Sequence, residues 1–183
     1  MPDLATALDA YRAAHPEEAA AIDLFLAFLR SSAYVFERRH EVGHFTGSAW
    51  LVSADGQRAL LMHHRKLDRW LQPGGHADGD RDLARVALRE AAEETGLADL
   101  CVEPAILDVD RHRIPARGME PAHWHYDVRY VVRAGGSEAF SRNEESLDMT
   151  WREVRSLAVD TEAEGSVRRM ARKWLARSGR RSA

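Results

Sequence analysis

At 183 residues, 45% of them hydrophobic and 30% charged, the chain has an ordinary globular composition and enough apolar material for the core of one domain. A net charge of -3 provides no basic field for nucleic acid, and a single cysteine, Cys101, excludes an intrachain disulfide. No apolar run approaches the ~20 residues of a membrane helix, and the opening Met-Pro-Asp lacks a signal-peptide layout. The expectation is a cytoplasmic protein with no membrane or nucleic-acid partner. Cys101, between Leu100 and Val102, reads as a small buried hydrophobe.

Residues 3–14 and 16–31 read as two helices. Pro16 followed by Glu17 and Glu18 suits a helical first turn, and Ile22, Leu24, Phe25, Phe28 and Leu29 give the second helix an apolar face. Together they form an N-terminal helical extension, residues 1–35, ahead of a main domain at 36–183. They could cover that domain, cap its site or pair two subunits as a homodimer. Residues 43–52 read as a strand, Asp55-Gly56 as a hairpin turn and 58–63 as a second strand. Residues 70–72 make a short third strand, stopped by Pro73-Gly74-Gly75. Asp80 or Asp82 can cap a helix running to about Thr95, with Gly96 as its terminator and Leu83, Val86, Ala87 and Ala91 on its buried side. Strands near 102–109 and 126–134 follow. Gly135-Gly136 breaks the chain, Trp151 opens another structured piece, and a helix spans about 164–177, whose arginines favour its C-terminal end. Strands mixed with helices predict a layered α/β fold.

The most informative segment is Arg89-Glu90-Ala91-Ala92-Glu93-Glu94-Thr95-Gly96-Leu97. Glu90, Glu93 and Glu94 stand at i, i+3 and i+4, which places three carboxylates on one helical face. Like charges at that spacing repel by roughly 0.2–0.5 kcal/mol per pair. The helix dipole disfavours each acid near its C-terminus by a further ~0.3–1 kcal/mol. One arginine, Arg89, cannot neutralise three acids, whereas a hard divalent cation with oxygen ligands can.

With Gly75 upstream, this pattern closely resembles the Nudix box: Gly, five residues, Glu, seven residues, then Arg-Glu-apolar-x-Glu-Glu-x-Gly-apolar. The resemblance covers Gly75–Leu97 and departs from the pattern once, with Arg81 in place of the first Glu and Asp78, Asp80 and Asp82 around it. It implies an α/β/α sandwich with a mixed sheet, and a pyrophosphohydrolase acting on a small-molecule nucleoside diphosphate derivative. It also implies Mg2+, or Mn2+, held by Glu90, Glu93 and Glu94. Glu93 is then a candidate to take the proton, and Arg89 would orient Glu93 and tie the helix to the loop. Relatives recruit a further acid before a late tryptophan. Glu145, with Glu144 as its neighbour, matches that position ahead of Trp151 as an extra ligand or general base. The substitution at Arg81 leaves a second reading, a Nudix-like module that senses a nucleotide without cleaving it. An isopentenyl diphosphate isomerase relative ranks last, because Cys101 lacks the context that chemistry requires.

The remaining candidates surround the box. Gly75 and His76 belong to the glycine turn. His112, His123 and His125 cluster downstream, with His123 and His125 on one strand face if extended. These histidines could contact substrate phosphate, move protons or bind a softer metal such as zinc or manganese. Arg65, within His63-His64-Arg65-Lys66, adds positive charge that would attract a diphosphate. Trp70 and Trp124 read as core residues ahead of any stacking role.

Overall fold

A computed structural model describes residues 3–65, 67–141 and 146–180, the last three of these as backbone alone. The elements run α1 (Leu4–Ala14), a 3-10 turn (Pro16–Glu18), α2 (Ala19–Ser31), β1 (Gly43–Val52), β2 (Arg58–His64), β3 (Arg69–Leu71), β4 (Gly74–His76) and α3 (Leu83–Thr95). They continue with β5 (Leu100–Ile114), β6 (His123–Ala134), β7 (Ser146–Glu153), α4 (Val154–Leu157) and α5 (Gly165–Arg180). The sheet order is β3-β2-β1-β6-β5, with β4 added to β1 and β7 to β2. Only the β1–β6 pair is parallel among those described, so the sheet is mixed as predicted.

Side-chain alternation divides the two faces. On one face Phe45, Ala49, Leu51, Tyr126, Val128 and Val132 pack with α1, α2 and α3 in a single cluster. Phe28 stacks on Tyr126 with centroids 3.8 Å apart, so the N-terminal helices are anchored in the same core as the sheet. On the other face Trp50, Val52 and Val131 pack beneath α4 and α5 through Leu157, Val167, Met170 and Trp174. The result is the expected α/β/α sandwich with N-terminal helices.

Local chemistry fixes the helix that matters. Asp82 is the N-cap of α3, its carboxylate accepting from Arg85 N at 3.1 Å. Gly96, at φ 66°, ends the helix in the left-handed conformation and returns its N–H to the Ala92 carbonyl. Gly47 lets α3 lie against β1, since a Cβ there would sit 2.8 Å from the Leu83 carbonyl oxygen.

Three expectations need correction. Gly74-Gly75 does not merely stop a strand: Gly74–His76 is itself a strand, paired antiparallel with Thr46–Ser48. Cys101 is exposed rather than buried. It lies at the start of β5, an edge strand of the main path, where alternation turns it outward. Trp151 falls inside β7 rather than opening a new piece, and β7 completes the β2 edge.

Candidate active site

Strand β4 is the bridge on which the site is built, and each of its three residues touches a different partner. Gly74 donates its N–H to Glu94 Oε2 at 2.9 Å. Gly75 faces Glu90 so closely that a Cβ would overlap the carboxylate. The His76 carbonyl accepts from Arg89 Nη2 at 3.0 Å, which ties α3 to β4. Gly75 is therefore required by the approach of Glu90, and Gly74 by the approach of Ser48 on the paired strand, where a Cβ would overlap its hydroxyl.

Arg89 also donates to Glu90 Oε1 at 2.9 Å, so it orients Glu90 and not Glu93 as predicted. Neighbours in sequence, the two side chains meet because both lean toward the β4 backbone. Glu94 is buried, Glu90 half-buried and Glu93 exposed. Burial raises the pKa of the Glu90 carboxyl; Arg89 opposes this, while the charges of Glu93 and Asp78 add to it. The three carboxylates do not converge on one point, Glu94 being turned to Gly74 and Glu90 to Arg89. What they share is a partly desolvated negative face with hard oxygen donors and one arginine, an environment that suits a divalent cation.

Arg81 has no carboxylate role to play, and the loop is secured by other means. Arg38 makes a two-pronged pair with Asp78 at 2.7 and 2.8 Å, and Gly79 N donates to the Phe36 carbonyl. Asp80 is held by Arg85, and the exposed Arg81 guanidinium lies over the Phe36 ring at 5.6 Å. The segment between α2 and β1 thus does the bracing. Arg81→Glu should accordingly leave activity within about twofold and stability within ~0.5 kcal/mol, as measured by turnover and thermal melting. A large loss would mean that the loop depends on this cation.

The second half of the site is a histidine cluster. The parallel register sets His44 of β1 opposite His125 of β6, and the antiparallel register sets His112 of β5 opposite His125. His76 joins from β4. Ring centroids lie 4.9 Å apart for His44–His76, 4.8 Å for His44–His125, 5.0 Å for His76–His125 and 5.4 Å for His112–His125. His123 Nε2 is 3.2 Å from His125 Nε2. Four of these five residues were legible in the sequence as candidates. His44 was not, although the alternation His44, Thr46, Ser48 along a predicted strand marks a polar face.

Burial lowers the pKa of His44 and His76 to about 4 and of His125 to about 2, with neighbouring histidines adding to the shift. The His40 carbonyl pulls weakly the other way on His44, but neither ring nitrogen of His44 makes a hydrogen bond of acceptable geometry. A buried unsatisfied polar group costs about 1–3 kcal/mol. Because these folded-state values lie below the ordinary 6.5, the unfolded chain binds more protons between pH 6.5 and about 4. Stability is therefore complete above pH 6.5 and falls as the pH drops through that window. Melting temperatures recorded across it should show the decline, and His76→Gln should lessen it by removing one of the titrating groups.

Below the histidines on the same face, Thr46 and Ser48 both donate to Asp127, at 2.9 and 2.8 Å. Arg129 joins Asp127 to Asp108, and Arg169 and Lys173 of α5 close on Asp108. The basic residues of the last helix thus serve an internal ion-pair network, beyond the dipole role expected of them. Arg65 lies exposed in the turn after β2, outside the histidine cluster. Trp70 packs against the core beneath α5 and stacks on His63, while Trp124 lies beneath the Arg111 guanidinium. Glu144 and Glu145 lie outside the described residues, as does Lys66.

Comparison with known proteins matches the NUDIX domain model to residues 44–174. The chain belongs to the Nudix family. Among curated proteins it is similar to "Putative 8-oxo-dGTP diphosphatase 3" of Mycobacterium tuberculosis, with 30% identity over 117 residues, 60% of this chain and 52% of that protein. The chain thus spans about half the length of the curated relatives it matches. Among solved Nudix-fold structures, a C. elegans Ap4A hydrolase binary complex aligns with a TM-score of 0.58 at 16% identity, over 74% of this chain and 97% of that one. The E. coli dihydroneopterin triphosphate pyrophosphohydrolase aligns at 0.57 and 15%, over 73% and 95%. Likenesses at these identities concern the fold.

Proposed function

We propose that this Nudix chain is a magnesium-dependent hydrolase that splits a pyrophosphate linkage in a nucleoside diphosphate derivative. The observation that supports the reading is the packing of two glutamates of α3 against β4, Glu94 accepting from Gly74 N and Glu90 lying close against Gly75. In this reading residues 36–183 are the catalytic domain and 1–35 a helical extension, and the enzyme acts in the cytoplasm.

Glu90, Glu93 and Glu94 would hold the cation. Bound there, Mg2+ or Mn2+ would screen the diphosphate charge and make a water molecule more acidic. The chain's own contribution is positional. Arg89 holds Glu90 against β4, Gly74 holds Glu94, and the exposed Glu93 is the carboxylate free to take a proton from the attacking water. Gly75, His76, His112, His123 and His125 would border the diphosphate, with Arg65 adding positive charge at a greater remove. Glu145 keeps its proposed role as a further ligand or base.

A screen of nucleotide sugars, dinucleotides and nucleoside triphosphates, followed by product analysis with Mg2+ and with Mn2+, tests this. Release of a nucleoside monophosphate or pyrophosphate from at least one class is expected. Ligand binding without turnover across the whole set would overturn the enzymatic reading in favour of a nucleotide sensor.

A further inference from the structure

We propose that His44, His123 and His125 form a second metal site, one for a borderline transition-metal cation such as Zn2+, separate from the carboxylates of α3. Among the described residues, the ligand nitrogens of these three side chains all lie within 4.8 Å of one another. Two nitrogens bound to one Zn2+ in tetrahedral geometry at about 2.0–2.1 Å stand roughly 3.4 Å apart. The His123–His125 pair is already at 3.2 Å, and modest ring rotation closes the remainder.

Three independent features point to an ion rather than to packed imidazoles. First, His44 is 2% exposed and lies against the rings of His123 and His125, yet neither of its ring nitrogens makes a well-formed hydrogen bond, the His40 carbonyl being a poorly aligned partner at best. Second, His123 Nδ1 is 2.9 Å from the Pro121 carbonyl. That bond places the proton on Nδ1 and leaves the Nε2 lone pair directed at the cluster, as the outer partner of a metal-bound histidine does. Third, the ligands stand on paired strands, not loops. Gly43 allows β1 to approach β6 so closely that a Cβ there would lie 2.5 Å from the Trp124 carbonyl oxygen. Rigid elements of this kind suit a defined coordination geometry.

Nitrogen donors favour zinc, copper or nickel over magnesium, so the two sites would sort their ions by donor chemistry. His76 borders the triad, its ring 4.9 Å from His44 and 5.0 Å from His125. It is therefore placed to complete a tetrahedron or to give way to a phosphate oxygen. Another three-residue group of ligand type, His15, Glu17 and Glu18, lacks these features, since Glu18 is taken up by Lys173 and Tyr11. The metal site rests on the histidine geometry and stands whether or not the chain hydrolyses a pyrophosphate.

The test is zinc binding to the whole chain, without substrate and in excess Mg2+, by calorimetry and by metal analysis after gel filtration. Retention of one zinc ion per chain is expected, and Co2+ in its place should give the visible absorption of a tetrahedral nitrogen-ligated ion. His44→Gln and His125→Gln should abolish retention, while Glu93→Gln should leave it unchanged. Displacement of zinc by Mg2+, or loss in Glu93→Gln with retention in both histidine variants, would overturn the proposal. Should the histidine variants fail to fold, ring-nitrogen NMR of the wild-type chain decides. Zinc must shift the resonances of His44, His123 and His125, and binding that leaves them unmoved defeats the assignment.

Discussion

Glu93→Gln should lower turnover by about 10²–10⁴-fold while leaving the fold intact. The substitution is isosteric and on an exposed position of α3, so it removes charge without disturbing packing. It also relieves a repulsion: the acid stands near the helix C-terminus beside two others, where each such contact costs a few tenths of a kcal/mol. Thermal stability in the absence of metal should therefore stay level or rise slightly. Glu94→Gln should lose activity too, although its amide oxygen can still accept from Gly74. The pairing of lower activity with equal or greater stability separates a chemical role from a structural one. Rates are measured with Mg2+ on whichever substrate the screen identifies, and folding by circular dichroism. Wild-type rates in both variants would remove these glutamates from the mechanism.

Asp108→Ala should be the most damaging single change for stability, at roughly 3–5 kcal/mol, the usual cost of removing one partner from a buried ion pair. Asp108 is fully buried and receives Arg129, Arg169 and Lys173 at 3.2, 2.8 and 2.6 Å. Lys173 in turn reaches Glu18 and the Tyr11 hydroxyl, so this one carboxylate links β5, β6, α5 and the N-terminal helices. Its loss leaves three cations around an apolar gap. For a chain of this size the melting temperature should fall by on the order of 10 °C. A fall of only one or two degrees would show that Asp110 and Glu18 suffice to satisfy the cations.

The contrast between these residues shows how far the sequence could be read. Glu90, Glu93 and Glu94 declare themselves because a helix brings i, i+3 and i+4 together by its own periodicity, and an unfavourable charge pattern at a helix end calls for an explanation. Asp82 and Gly96, which bound the helix, are equally local, since capping is decided within four residues. The departure at Arg81 was also visible. Its consequence was not, because the bracing comes from Arg38, 40 residues before its partner Asp78.

What the sequence determined alone was therefore the α/β class, the helix–strand order and the acidic face of α3, all set by short-range periodicity and turn chemistry. The tertiary structure decided that Gly74–His76 is a strand, that Arg89 turns to Glu90, that Cys101 faces outward, and that His44 joins His123 and His125 across a gap of some 80 residues. Those outcomes depend on strand order and register. Register is settled by the burial of whole faces, and no local stretch of chain carries that information.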